Sequence, residues 1–338
     1  IVDADYQPIQ GAIELTNRGT AQIGPVFASG QLVANNLLGF RERLGLLFAS
    51  ATDTEEFSGA GAFIDTIVSD AGAHLTATAF ASRSNPTEPI DRDIRYVRER
   101  ASLRAIQPIG DDSPSRVALS VGLDFDDLDI MFNDRRLRIE RLRIAELGGR
   151  LNGAFTSQTP YLFALQVRTG LNGLGASLEA RDLLTDARRL DFTSVRVQFV
   201  QLYRFAERWT ARWDFLAQQS AYVLPDAERY KIGGERLGRG FEVTEIAGDQ
   251  GAGGKAELRY ALAGTALLQK ASLYSFYDFG AAWKQDGGER ESASSAGLGF
   301  ALEYGHVSGF VEVAKPLTKA DIEGDSDANV FAELHFKF

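Results

Sequence analysis

Arg239 sits in the stretch Lys231–Phe241, KIGGERLGRGF, framed by Gly233, Gly234, Gly238 and Gly240 and followed by Phe241. A guanidinium carries five N–H donors in a planar fork, and its natural counterpart is a carboxylate. Nothing around it has the make-up of a phosphate loop. Two acids further along qualify as partners. In Lys255–Tyr260, Glu257 alternates with Ala256, Leu258 and Tyr260; in Phe276–Gly280, Asp278 lies on the face opposite Ser275, Tyr277, Phe279 and Trp283. Successive side chains of an extended strand point to opposite faces, so both acids belong to one polar face. Two confined carboxylates repel each other, and an arginine between them removes that cost.

Other chemistry is scarce. The chain has no cysteine and only three histidines, His74, His306 and His335, well apart in sequence, so it offers no thiolate and little for a zinc or iron site. His306 and His335 are expected to be lumenal or interfacial polar residues. Asp124/Asp126 and Glu55/Glu56 lack both EF-hand spacing and a glycine-framed nucleophile. No catalytic residue, metal or cofactor is expected. A formal net charge of -10 opposes a general nucleic-acid surface.

The elements that position these residues read as strands. Period-two alternation recurs in segments of about ten residues, as in Val117–Phe125, Ser194–Phe205 and Trp209–Gln218. A soluble sandwich would bury the apolar face, whereas a membrane barrel turns it to lipid. The barrel is favoured by strand candidates of about nine to fourteen residues, by aromatics at their ends (Tyr203, Phe205, Trp209, Trp283), and by connections that alternate in length. Short turns are expected at Asn35–Phe40 and Ile109–Asp112, and longer loops at Pro225–Gly254 and Gln285–Glu291. Sixteen strands are predicted, near 10–17, 21–34, 41–51, 57–69, 72–84, 93–107, 114–126, 134–147, 158–168, 190–204, 207–220, 255–263, 269–284, 293–303, 305–315 and 329–338. The fold class is therefore all-β, a sixteen-stranded antiparallel transmembrane barrel over residues 1–338 with an inserted lumenal loop.

The loop is the glycine-rich stretch 221–254, and 169–189 reads as a loop with a turn of helix or a further hairpin. The ending, NVFAELHFKF, puts Leu334, Phe336 and Phe338 on the lipid side and resembles the signal by which outer-membrane barrels are recognised for insertion. No apolar run is long enough for a transmembrane helix, and the first residues do not form a signal peptide. Arg138, Arg141, Arg143, Arg196 and Arg212 either line a polypeptide path or form a balanced lining with acids such as Asp214 and Glu140.

GGERLGRGF resembles the [VL]RG[FY] loop motif of the outer-membrane assembly and secretion superfamily, and Phe276-x-Asp278-x-Gly280 resembles its FxDxG strand motif. Spacing around Gly248-Asp249-x-Gly251, and an opening hairpin at Glu14–Gly24 and Asn35–Leu44, look more like the two-partner secretion transporters, the haemolysin and haemagglutinin activation and secretion proteins. Gly238 departs from the motif, which has Val there. The resemblance implies an outer-membrane barrel of a Gram-negative bacterium that secretes a large unfolded partner polypeptide, with Arg239 locked to Asp278 and Glu257. It also implies contact with outer-membrane lipids and lipopolysaccharide, and with the barrel-assembly machinery during insertion. The family's periplasmic repeats and plug helix are expected upstream of this chain. A barrel-assembly or surface-protein assembly factor and a diffusion porin are the alternatives.

Overall fold

The computed structural model describes all residues except 1–6, 21–23, 87–93, 111–115, 181–187, 263–269, 286, 289 and 319–326. Its strands are β1 Ile9–Thr16, β2 Phe27–Asn35, β3 Glu42–Ala51, β4 Phe57–Ile67, β5 His74–Ser84, β6 Ile94–Ile109, β7 Arg116–Phe132, β8 Arg135–Ala154, β9 Pro160–Gly170 and β10 Ser177–Ala180. They continue as β11 Thr193–Ala206, β12 Trp209–Ser220, β13 Tyr230–Ile232, β14 Ile246–Gly248, β15 Gln250–Ala261, β16 Lys270–Trp283, β17 Arg290–Tyr304, β18 Val307–Pro316 and β19 Asn329–Lys337. Sixteen of them, all but β10, β13 and β14, pair antiparallel in chain order, and β19 pairs back onto β1 to close the barrel. There is no helix among the described residues.

Closure rests on backbone and side-chain pairing together. Gly11 and Phe338 exchange N–H···O bonds of 2.8 and 3.0 Å, and Asn17 extends the ladder by donating to the Val330 carbonyl (2.9 Å) and accepting from Ala332 N–H (2.7 Å). A closed ladder leaves no unpaired edge, which is what allows a sheet to sit in lipid.

Burial is inverted relative to a soluble protein. Leu46, Phe48, Val121, Leu147, Trp213 and Leu298 stand exposed on the outer face, while Glu140, Glu146, Arg168, Glu228, Asp278 and Glu312 are buried inside. Apolar side chains outward and charged ones inward is the arrangement lipid demands. At one rim Tyr203, Phe205, Trp209 and Tyr260 form a chain of ring contacts, with Trp209 and Tyr260 centroids 4.8 Å apart. Trp283 is instead half-buried, its Nε1–H donating to Gln250 Oε1 at 3.0 Å.

The sixteen predicted strands correspond one to one with those of the barrel, and the differences lie at their ends. β7 and β8 run on to Phe132 and back from Arg135, well beyond the predicted 126 on one strand, and β8 reaches Ala154 rather than 147. Their tip is a two-residue turn at Asn133 and Asp134, both at positive φ, a conformation suited to hairpins. Hydrophobic alternation stops where a strand leaves the hydrocarbon, although its hydrogen-bond ladder continues. β15 begins at Gln250 rather than 255, because Gly251, Gly253 and Gly254 carry no side chains to show alternation. The stretch 169–189 contributes no helix among its described residues but a short strand, β10, paired with Arg138–Arg141 of β8. Positions 181–187, and the end of the turn expected at Ile109–Asp112, lie outside the described residues.

Candidate functional site

The connection from β12 to β15, residues 221–249, folds into the barrel, and its short hairpin β13–β14 sets the approach of its tip. Tyr230, Ile232, Leu237, Phe241 and Ile246 pack with Leu216, Ala282 and Ala293 of the wall into one apolar cluster. Leu237 and Ile232 lie over Gly280, and Gly233 N–H donates to the Leu237 carbonyl at 2.8 Å. Gly234 N–H donates to the Phe241 carbonyl (3.1 Å) and Phe241 N–H to the Gly238 carbonyl (3.0 Å), so the tip is a closed turn.

That turn delivers Arg239 to Asp278, which is fully buried. Arg239 Nη2 donates to Asp278 Oδ1 at 2.8 Å and Nε to Oδ2 at 3.0 Å, a bidentate fork. The main-chain N–H groups of Arg239 (2.9 Å) and Gly238 (3.2 Å) donate to the same Oδ2. Nη1 reaches Glu257 at 3.1 Å and Glu312 at 3.5 Å, and the guanidinium lies 3.5 Å from the Phe276 ring centroid. Burial works against the charge on Arg239, but the hydrogen bond and charge of Asp278 outweigh it, and the guanidinium is held more firmly protonated than in water.

The carboxylates are balanced by further cations. Arg259 pairs with Glu257 at 2.9 Å, and Arg18 pairs with Glu312 while stacking 4.2 Å from the Phe331 centroid. Three guanidiniums thus meet three carboxylates, with Tyr274 Oη donating to Glu312 at 3.0 Å. Such a cluster can hold a loop firmly yet reversibly, since no covalent bond is made and Arg239, Glu257 and Glu312 each have a second partner of opposite charge.

Two glycines make the geometry feasible. Gly238 sits at φ +89, where a side chain is strained, and an added Cβ would lie 3.0 Å from Ile232 Cγ2. Gly240 passes so close to the wall that a Cβ would come within 2.8 Å of Ser295; its N–H donates to Ser295 Oγ (3.2 Å) and its carbonyl accepts from Asn329 Nδ2 (3.1 Å). Gly238→Val, although it restores the motif residue, is expected to weaken docking of the tip by about 1–2 kcal/mol. Faster trypsin cleavage at Arg236 in detergent-solubilised barrel measures this; unchanged cleavage would count against the strained turn.

A second anchor was not anticipated from sequence. Glu228, buried at the start of the loop, accepts from Arg168 Nε (2.8 Å) and Nη2 (3.1 Å) and from Arg196 Nη2 (2.8 Å). A third is Asp249, which accepts from the main-chain N–H groups of Leu224 and Gln285, both at 2.7 Å, and pins the loop's base. Glu312 was also missed, yet Val311 and Val313 point outward on β18, so alternation alone turns Glu312 inward. Of the strand arginines, Arg138, Arg196 and Arg212 form a paired lumenal lining with Glu140, Glu228 and Asp214, whereas Arg141 and Arg143 stand on the outer face of β8 with Leu147 and pair there with Asp129 and Asp127.

Leu334, Phe336 and Phe338 lie on the outer face, the last two rings 6.1 Å apart. Among the described residues, the groups with metal-ligand chemistry that gather within 4.8 Å are Glu14, Glu333 and His335; His335 pairs with Glu14 across the β1–β19 closure and with Glu333 on its own strand.

A family profile described as "Haemolysin secretion/activation protein ShlB/FhaC/HecB" matches residues 1–302. No curated protein sequence is similar enough to match. Among solved structures, CdiB from Escherichia coli superposes with a TM-score of 0.87 at 19% identity, over 98% of this chain and 63% of that one. CdiB from Acinetobacter baumannii gives 0.76 at 15% identity, over 98% and 60%. BamA from Haemophilus ducreyi lacking POTRA domains 1-3 gives 0.70 at 12% identity, over 98% and 71%. The chain therefore spans a little under two thirds of either CdiB chain, and these likenesses are of fold.

Proposed function

Because this chain belongs to the haemolysin secretion/activation protein family, we propose that it is the outer-membrane pore of a two-partner secretion system in a Gram-negative bacterium. It passes a large, unfolded partner protein of adhesin or haemolysin type from the periplasm to the surface. No ATP is used, and folding outside supplies direction. On this reading the barrel acts as a conduit and not as an enzyme. The observation that carries this reading is the loop 221–249 lodged inside a charge-lined lumen and held there by Arg239 on Asp278, Glu257 and Glu312. A loop held by ion pairs rather than covalently can brace the resting barrel and leave when a chain arrives. Leu334, Phe336 and Phe338 form the outward ending read by the insertion machinery.

Planar-bilayer recording tests the gate. Native barrel is expected to show a small conductance and Arg239→Ala a mean conductance at least threefold larger; equal conductances would remove the gating role. Export itself is tested in cells carrying the full-length gene with the large exoprotein gene beside it. Surface exposure of that exoprotein should depend on the transporter, and export unaffected by its deletion would overturn the reading.

A further inference from the structure

The lumen has two unlike walls. Cross-strand partners share a face of the sheet, so the registers show what lines each side. Running from β2 to β5, Gln31, Leu47, Gly61 and Phe80 form one lumenal row, and the flanking rows, Ser29 to Ser82 and Val33 to Thr78, are equally free of charge; charge on this face is confined to the row at its far end, where Arg43 pairs with Asp65. The next partners on β6 and β7 are Arg100 and Asp126. From there to β18 the lumenal face is dense with paired arginines and acids.

The loop keeps to the charged side. The bonds made by Glu228, Arg239, Gly240 and Asp249 go to β9–β19, to connections among those strands, or within the loop, and none of them reaches β2–β5. Beside the loop lies a cavity of about 420 Å³, with Leu47, Thr78 and Phe80 on one side, Ala227 and Glu228 of the loop on another, and the charged Arg100, Asp124, Asp126 and Arg168 between them. Leu47, Gly61, Thr78 and Phe80 are only half-buried.

Resting on the transport reading above, we infer that the exported chain crosses along the lumenal face of β2–β5 and that it is a low-charge polypeptide of small, hydroxyl and amide side chains. A chain moves through a confined pore quickly only if no position holds it. In a narrow lumen an ion pair is several-fold stronger than a neutral hydrogen bond, so charges on the moving chain would lodge against Arg100, Asp126 and their neighbours. Hydroxyl and amide groups exchange weak bonds with Ser29, Gln31, Thr78 and Ser82 instead. The surface is graded so that passage is shallow on one wall and structure is deep on the other.

The absence of native cysteine makes the path measurable. Single cysteines replace Leu47 or Thr78 on the uncharged wall, or Gln198 on the opposite wall, in reconstituted whole-chain barrel with Arg239→Ala to release the loop. Two maleimide-tipped peptides of equal length are applied, one of Ser, Thr, Asn, Gly and Val, the other with Lys or Glu at every third position. Rates are normalised to a small maleimide at the same cysteine. The low-charge peptide should label Leu47→Cys and Thr78→Cys at least tenfold faster than Gln198→Cys, and at least tenfold faster than the charged peptide does. Equal rates at the three positions, or a charged peptide that labels as fast, would overturn the path. If neither peptide labels any position that the small maleimide reaches, polypeptide transport itself falls.

Discussion

Asp278→Ala is expected to free the tip of the loop. The substitution removes the acceptor of four N–H donations, two from the Arg239 side chain and two from the main chain at Gly238 and Arg239. Deleting one partner of a buried pair leaves the other charge desolvated and typically costs about 3–5 kcal/mol. Glu257 and Glu312 remain within reach of Nη1, so the loss falls at the lower end, about 3 kcal/mol. The cost appears as loop release, not as unfolding of the barrel, because the ladders of β15 and β16 do not depend on it. Rapid trypsin cleavage between 231 and 239, with heat-modifiable migration retained, is the expected result. A loop as resistant as in the native barrel would remove Asp278 from the lock.

The same geometry makes a second outcome predictable. Exchanging the charges, Arg239→Asp with Asp278→Arg, is not expected to rescue the single changes. A guanidinium at 278 would face the two main-chain N–H groups that now donate to the carboxylate, donor against donor. Restored trypsin resistance in the double variant would mean that side-chain charge alone holds the loop.

The other large effect is expected at Glu228. Glu228→Ala strips Arg168 of a bidentate partner and Arg196 of its carboxylate in one step. Arg168 keeps Glu146 and Asp124, so its charge is not abandoned, and a loss of about 2–3 kcal/mol follows. Its location differs from that of Asp278→Ala: the start of the loop around 222–229 detaches while the tip stays docked. Hydrogen exchange should rise in that segment and remain low at 237–241. Because both anchors hold one loop, the double variant Glu228→Ala/Asp278→Ala should open it by more than the sum of the single effects. Strict additivity would indicate that the anchors act on independent segments.

Much of this was legible before any coordinates. The inward placement of Asp278 and Glu257 followed from two residues on either side of each, because strand geometry alternates faces without reference to the rest of the chain. Strand ends were less legible, and for a definite reason: the apolar outer face marks where lipid ends, not where pairing ends, so β7 was cut short at its tip and β8 at its opposite end. The glycine start of β15 was lost to the same limitation, since Gly251 and Gly253 have no side chain to alternate.

What the sequence alone determined is the local periodicity and its count: sixteen two-faced strands, a pliable arginine loop between two of them, and acids facing away from lipid. What only the tertiary structure decided is which groups meet across the lumen. Glu312, 73 positions from Arg239, and Arg18, 294 positions from Glu312, come together only after β19 pairs with β1 and sets every register in between. Glu228 finds Arg168 for the same reason. A strand's faces are a property of the strand, whereas contact across a barrel is a property of its closure.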